Sequence, residues 1–186
     1  MPLKYLTQPQ LASFFSHINS PRDRALFVVI YHYGLRVSEA TRLKLTDVDF
    51  EQQTITFHRL KGGNGGQRPL LANTQQALVA YLPTRQPTGD GLFTGRQGNL
   101  GRHQIYGLFK RYAQRAGLGE YSVHCLRHSI ATHLLEAGLE IDLVKDHLGH
   151  RNLQSTLIYA QITDKRRREA FFRIEHSQAV VKLNER

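Results

Sequence analysis

The sequence contains a single cysteine, few acidic side chains and no apolar run of the length that crosses a membrane. One cysteine, Cys125, excludes an internal disulfide and suits a reducing compartment. A spanning helix needs about 20 mostly apolar residues, so we expect no association with a membrane. The first residues, MPLKYLTQPQ, lack the apolar core of a secretion signal, and we therefore expect a cytoplasmic protein.

The shortage of acidic residues makes the chain strongly basic. It has 25 Lys and Arg against 15 Asp and Glu, a formal net charge of +10. A surface of that sign predicts a polyanionic partner, and nucleic acid is the first candidate. The length of 186 residues, 40% of them hydrophobic, is sufficient for one domain with its own core.

Periodicity predicts helices in the first quarter of the chain. Thr7 is the expected N-cap of the first helix, and Ser20 the N-cap of the second, where Asp23 should complete a capping box. Gly34 should end that second helix. Residues 35–45 read as another short helix, which places Arg36 at a helix-to-helix corner.

The pattern then changes to that of strands. Residues 53–60 alternate and residues 67–71 can pair back with them, which predicts a β-hairpin with Lys61 at its Gly-rich tip. Residues 83–99 are predicted to be a loop, and further helices are predicted at residues 73–82, 101–117, 121–138, 140–150 and 153–162. The expected fold class is therefore mainly α with a small antiparallel β-sheet (α+β), in one domain of residues 1–186.

The stretch YSVHCLRHSIATH, residues 121–133, holds four potential metal ligands and an arginine. His124 and His128 are spaced as paired zinc ligands on a helix, with Cys125 and His133 nearby. The fixed guanidinium of Arg127, however, should repel a dication and attract an oxyanion. Adjacent His124 and Cys125 also diverge by about 100° around a helix, so a phosphate clamp is favoured over zinc, and we expect neither a metal nor a cofactor.

The order of several motifs carries more information than any one of them. GLRVSEATRL, a lysine on a β-hairpin, HCLRHSIATHLL, LGHRN and STLIYAQ together resemble the tyrosine recombinase (phage integrase) family. Within that family the chain looks most like the small recombinases that invert fimbrial promoter elements. The resemblance implies a site built from Arg36, Lys61, His124, Arg127, His150 and the nucleophile Tyr159, which lies nine residues after His150.

The resemblance also implies an activity and partners. The expected activity is metal- and ATP-independent cleavage and rejoining of DNA through a 3′-phosphotyrosyl intermediate, with inversion, excision or integration as the outcome. The expected partners are double-stranded DNA, three further copies of the chain in a tetramer on DNA, and accessory DNA-bending proteins. When bound to DNA the protein would lie in the nucleoid. We expect no N-terminal core-binding domain, and the tail, about residues 164–186, could contact a neighbouring protomer.

The residue types suit this chemistry. Attack on a phosphodiester places extra negative charge on two non-bridging oxygens, which Arg36 and Arg127 can neutralise. His124 is three residues before Arg127 and therefore on the same helical face. Tyr159, a phenol with an ordinary pKa of about 10, needs cationic neighbours or a base. Lys61 can give a proton to the departing 5′ oxygen.

Three residues have supporting or shared roles. The family assigns His150 to binding and alignment of the phosphate. Glu39 lies where the family often has a buttressing acidic residue, although a helix-surface glutamate near Arg42 is an equal interpretation. His128 occupies the family's second histidine position, as either a ligand of the phosphate or a buried group that supports the helix.

Two other functions stay open at the level of sequence. A type IB topoisomerase-like nicking and resealing enzyme would use a similar set of tyrosine and arginine. A non-catalytic DNA-binding regulator would need only the basic surface, although all six candidate catalytic residues are present.

Overall fold

The computed structural model describes residues 4–58, 65–150 and 171–172. Its α-helices are α1 (Gln8–Ser16), α2 (Pro21–His32), α3 (Val37–Ala40), α4 (Ala72–Tyr81), α5 (Arg102–Arg115), α6 (His124–Glu136) and α7 (Ile141–Leu148). Single 3₁₀ turns follow at Leu45–Asp47 and Leu82–Thr84. No helix in these described ranges is both long enough and apolar enough to span a bilayer.

The strands form two small antiparallel sheets. The larger contains β1 (Val48–Asp49), β2 (Thr54–Phe57) and β3 (Gly66–Pro69) in that order. The smaller pairs β4 (Thr94–Gly95) with β5 (Gly98–Asn99), inside the segment predicted to be a loop. That prediction was wrong because each strand has only two residues, too few to give an alternating pattern.

Helix α2 lies at the centre of the fold and packs against α4 and α6. It is apolar around most of its circumference, as expected for a helix that other elements cover on several sides. Its buried side chains include Ala25, Leu26, Phe27, Val29 and Ile30. A smaller cluster joins α6 to α7 through Ile130, Ala131, Leu135, Val144 and Leu148. This central packing fixes the ends of α2, α6 and α7 relative to one another.

The start of α2 differs in one respect from the prediction. Ser20 caps the helix by accepting a hydrogen bond from the backbone of Asp23 at 3.3 Å, as expected. The carboxylate of Asp23 does not complete the box. It accepts hydrogen bonds from the phenol of Tyr112 at 2.8 Å and from Arg22 Nε at 2.8 Å. Asp23 is only 3% exposed, and these two hydrogen bonds offset the cost of burying its charge.

The predicted fold class is confirmed: the chain is mainly helical with small antiparallel sheets. The helical segments predicted at residues 73–82, 101–117, 121–138 and 140–150 correspond to α4, α5, α6 and α7. The predicted helix at residues 153–162 lies outside the described residues. Of the tail, only Phe171 and Phe172 are described, and their side chains are 65% and 62% exposed.

Candidate active site

Arg36 lies at the corner between α2 and α3, as its place after Gly34 predicted. Gly34 has φ of +56°, and a Cβ there would come within 2.5 Å of Leu148 Cδ2, so both conformation and space favour glycine. The chain turns there and α3 begins after Arg36, its N-cap residue. The Arg36 side chain remains 42% exposed.

Glu39 holds Arg36 at two points. Its Oε2 accepts a hydrogen bond from the backbone nitrogen of Arg36 at 2.8 Å, and its Oε1 accepts one from Arg36 Nη1 at 3.0 Å. The carboxylate is buried, with a side-chain exposure of 2%. The interpretation of Glu39 as a surface residue is therefore wrong. A buried carboxylate that fixes both ends of an arginine restricts the directions that the guanidinium can take.

Arg127 is the buried centre of the site. It is 6% exposed and lies in the first turns of α6. Its Nη1 donates to the carbonyl of Gly34 and its Nη2 donates to the carbonyl of Leu148 at 3.0 Å. These two bonds join α6 to the end of α2 and to the end of α7. These bonds could not be predicted, because carbonyl acceptors are present at every residue and leave no signal in the sequence.

His124 is close to both arginines. It is the first residue of α6 and is partly exposed. Burial of the rest of the ring lowers the pKa of His124, and the cations of Arg127 and Arg36 lower that pKa further. Its Nε2 also lies 3.4 Å from the hydroxyl of Tyr106, on α5. Sequence analysis missed Tyr106, since nothing in the α5 pattern marks it.

His128 lies behind His124 on the same helix. It is half-buried, and burial, then Arg127, then His124 lower its pKa. A neutral imidazole beside a buried guanidinium can accept a hydrogen bond or support the helix. The structure places His128 next to Arg127 without assigning it to the phosphate.

His150 follows the end of α7 and is 9% exposed. Gly149 takes a left-handed conformation with φ of 65°, and the backbone nitrogen of His150 donates to the carbonyl of Lys145 at 3.0 Å. This is a Schellman-type helix end, which reverses the chain directly after the helix. Because Arg127 binds the carbonyl of Leu148, two residues earlier, His150 is held on the same corner as the arginine.

The structure thus brings together four of the six residues that the sequence predicted: Arg36, His124, Arg127 and His150. Lys61 and Tyr159 lie outside the described residues. The hairpin that carries Lys61 in the sequence is present as β2 and β3. The site roles of all six residues stay predictions.

The zinc interpretation of residues 121–133 does not fit the placement of the ligands. Cys125 is 2% exposed, and burial raises the pKa of its thiol to about 12, which disfavours the thiolate that binds zinc. His133 is also buried, and its Nδ1 lies 2.8 Å from the hydroxyl of Tyr31. No group of three potential metal ligands occurs within residues 4–58, 65–150 and 171–172. Cys125 and His133 are core residues.

Acid should destabilise the fold through its histidines. Burial is the main cause that lowers the pKa values of His32, His124, His128 and His133. Between these values and about 6.5 the unfolded chain binds more protons than the folded one. The folding stability that is present above about pH 6.5 is therefore lost as the pH falls from there through the lowered pKa values of these histidines in the folded state.

We expect the midpoint of thermal unfolding to fall between pH 7.5 and pH 5.5, a window above the ordinary carboxyl range. The substitution His128→Gln should reduce that fall because it removes one titrating group. A midpoint that is constant or rises on acidification would contradict the burial of these histidines.

Comparison with known proteins shows which protein family the sequence matches. The sequence profile of the phage integrase family matches residues 4–166. The chain is 36% identical over 171 residues to the tyrosine recombinase XerA of Pyrococcus horikoshii, and this match covers 90% of the chain and 60% of that relative. It is 42% identical over 146 residues to the tyrosine recombinase XerC of Neisseria meningitidis, with 76% and 48% covered.

Solved structures of recombinases have the same fold as this chain. The crystal structure of XerA recombinase superposes with a TM-score of 0.82 at 25% identity, over 95% of this chain and 67% of that one. The XerH recombinase bound to its palindromic difH substrate superposes with a TM-score of 0.77 at 28% identity, over 95% of this chain and 54% of that one. The chain spans about 60% of the length of the XerA relative that it matches.

Proposed function

Because the chain belongs to the phage integrase family of tyrosine recombinases, we propose that it is a site-specific recombinase that cleaves and rejoins DNA through a 3′-phosphotyrosyl intermediate. The observation that carries this proposal is that the ends of three helices, α2, α6 and α7, converge on one corner of the fold. Arg36 follows α2, His124 and Arg127 begin α6, and His150 ends α7. Arg36 and Arg127 are permanent cations that suit an oxyanion, and the two histidines can add hydrogen bonds. The buried guanidinium of Arg127 also holds the corner together through its bonds to the carbonyls of Gly34 and Leu148.

The proposed first step is an in-line displacement at phosphorus. Tyr159 first loses its phenol proton to solvent and attacks as the phenolate, the bond from phosphorus to the 5′ oxygen breaks, and the Lys61 ammonium gives a proton to that oxygen. Arg36 and Arg127 stabilise the charge on the non-bridging oxygens, where fixed donors need no reorganisation. His124 and His150 add hydrogen bonds to the same phosphate.

The proposed second step reverses the first with a different alcohol. The 5′ hydroxyl of another duplex attacks the phosphotyrosine, and the tyrosine leaves as the strand is resealed. One phosphoester replaces another, so the reaction needs no nucleotide as an energy source. Two such exchanges use four active sites, which is why we propose a tetramer on DNA, with accessory bending proteins as further partners.

A basic helix beside the site supports DNA as the substrate. The contact between Tyr106 and His124 places the exposed face of α5 next to the phosphate-binding corner. Two exposed cations of that helix, Arg102 and Lys110, lie about one turn on either side of Tyr106, whereas the exposed Arg111 and Arg115 lie around the helix from it. Cations beside a phosphate site can neutralise flanking phosphates of the same duplex.

The outcome of recombination depends on how sites are arranged, and the fimbrial-invertase subgroup stays a prediction.

Covalent capture on genomic DNA tests the proposal. The purified protein would be incubated with DNA of the source organism and denatured, and the DNA attached to protein would be sequenced. We expect attachment at one or a few recurrent sequences. Attachment without sequence preference would indicate a topoisomerase-like enzyme instead, and no attachment would indicate a binding-only protein.

A further inference from the structure

An ion pair joins the β-hairpin to the end of α7. Arg68 lies on β3 and Asp146 lies in the last turn of α7. Arg68 Nη2 donates to Asp146 Oδ2 at 3.0 Å and to the backbone carbonyl of Asp146 at 3.3 Å. One nitrogen thus binds both the side chain and the main chain of the same residue, which fixes this turn of α7 against the strand.

Each partner is close in sequence to a candidate catalytic residue. Arg68 follows Lys61 by seven residues along the hairpin, and Asp146 precedes His150 by four. We propose that the Arg68–Asp146 ion pair positions the hairpin that carries Lys61 against the corner that carries His150. Both are positioning residues, and this inference rests on the proposed function.

The contact region around the ion pair is incompletely packed. A pocket of about 110 Å³, open to solvent, lies beside the ion pair and is lined by Tyr33, Phe57, Arg68, Pro69, Leu71 and His147. On one side, the Tyr33 hydroxyl donates to the carbonyl of Pro69 at 2.9 Å. On the other, His147 Nε2 lies 2.8 Å from the carbonyl of His32. The hairpin and α7 are therefore each tied to the end of α2, and Arg68 and Asp146 connect them directly.

Because the ion pair is partly exposed, its loss should have different effects on catalysis and on folding stability. The side chains are 31% and 54% exposed, and ion pairs in such positions contribute little to folding stability. Catalytic geometry is far more sensitive, since a misplacement of about 1 Å can lower a rate about 100-fold. Loss of the pair should therefore lower the cleavage rate without lowering the melting temperature.

The charge of Asp146 distinguishes this role from a direct contact with DNA. If Arg68 acted by binding a phosphate, Asp146→Asn would remove a repulsive charge, and binding and cleavage would be unchanged or stronger. If the ion pair acts by positioning, Asp146→Asn should lower the cleavage rate while binding is maintained. Asp142→Asn is the matched control, because Asp142 is an exposed aspartate on the same helix.

The first test is a charge exchange, measured as single-turnover cleavage with protein in excess. We expect Asp146→Asn and Arg68→Asp to lower the rate about three- to fivefold, which is the range that an exposed ion pair can supply, and the double variant Arg68→Asp with Asp146→Arg to recover most of it. Asp142→Asn should be close to the parent. Single variants equal to the parent, or a double variant no better than the singles, would overturn the proposal.

The second test asks whether the effect passes through Lys61. In DNA with sulfur in place of the bridging 5′ oxygen, the bond from phosphorus to sulfur breaks and a thiolate leaves without needing a proton. The defect of Asp146→Asn should then become much smaller. A defect of the same size on both substrates would overturn positioning of the proton donor.

A readout without DNA keeps this inference separate from the proposed function. Amide hydrogen exchange in β3 should be faster in Asp146→Asn than in the parent and should be restored by the charge exchange. Unchanged exchange would overturn the structural link. A parent protein that never attaches to DNA would instead overturn the proposed function.

Discussion

The substitution Tyr159→Phe should abolish the covalent protein–DNA adduct and leave DNA binding intact. Phenylalanine has the same ring but no oxygen, so no bond to phosphorus can form. Loss of a nucleophile of this kind lowers the rate by at least about 10⁴-fold. Binding depends on the basic surface, which the substitution does not change. The assay is a nicked substrate that traps the adduct, alongside an electrophoretic shift for binding.

Tyr106 provides the matched control for this prediction. Its hydroxyl lies 3.4 Å from His124 Nε2, so among the described residues it is a tyrosine beside the candidate phosphate site. Tyr106→Phe should retain adduct formation, because α5 serves in the proposal as a binding surface. Loss of the adduct in Tyr106→Phe and its persistence in Tyr159→Phe would reassign the nucleophile.

The same substitution, Arg to Lys, should have different effects at the two arginines. Lysine at either position keeps a positive charge but loses the planar fork that binds two oxygens together. Cleavage should fall about 100- to 1,000-fold in both cases, the cost of losing a fixed donor to the transition state. Folding stability, in contrast, should change at only one of them.

The structural difference is burial. Arg36→Lys leaves a cation beside Glu39, and the side chain of Arg36 is 42% exposed, so the melting temperature should be nearly unchanged. Arg127→Lys cannot reproduce two bonds in fixed directions to the carbonyls of Gly34 and Leu148, and it buries an ammonium. We expect a loss of about 2 kcal/mol, or roughly 4–8 °C in melting temperature.

Thermal unfolding and single-turnover cleavage of both variants check this prediction. Equal stability of the two variants would contradict the central placement of Arg127. Undiminished cleavage by Arg36→Lys would contradict a bidentate role for Arg36.

The helical part of the fold was predictable from local patterns, and the grouping of the site was predictable only from the family resemblance. The cap at Thr7, the break at Gly34 and the shared face of His124 and Arg127 each depend on residues within one turn of each other, and the structure contains all three. The placement of Arg36 after the break followed directly. The family resemblance then supplied the order in which distant residues should meet.

Contacts between distant segments were not predictable. Asp23 forms a buried pair with Tyr112 instead of a cap, and Arg68 pairs with Asp146, because each partner is 78 or more residues away. The carbonyls that hold Arg127 and the two-residue strands β4 and β5 leave no pattern in composition or period. These contacts join segments that are distant in sequence and are brought together by the fold around α2.

The chemical identity of the protein–DNA linkage would show whether Tyr159 is the nucleophile. The trapped adduct would be digested with nuclease and protease, and the modified peptide sequenced by mass spectrometry. We expect a single linkage, between the oxygen of Tyr159 and a 3′ phosphate, with a free 5′ hydroxyl on the other DNA end. A linkage to another residue, or to a 5′ phosphate, would contradict this expectation.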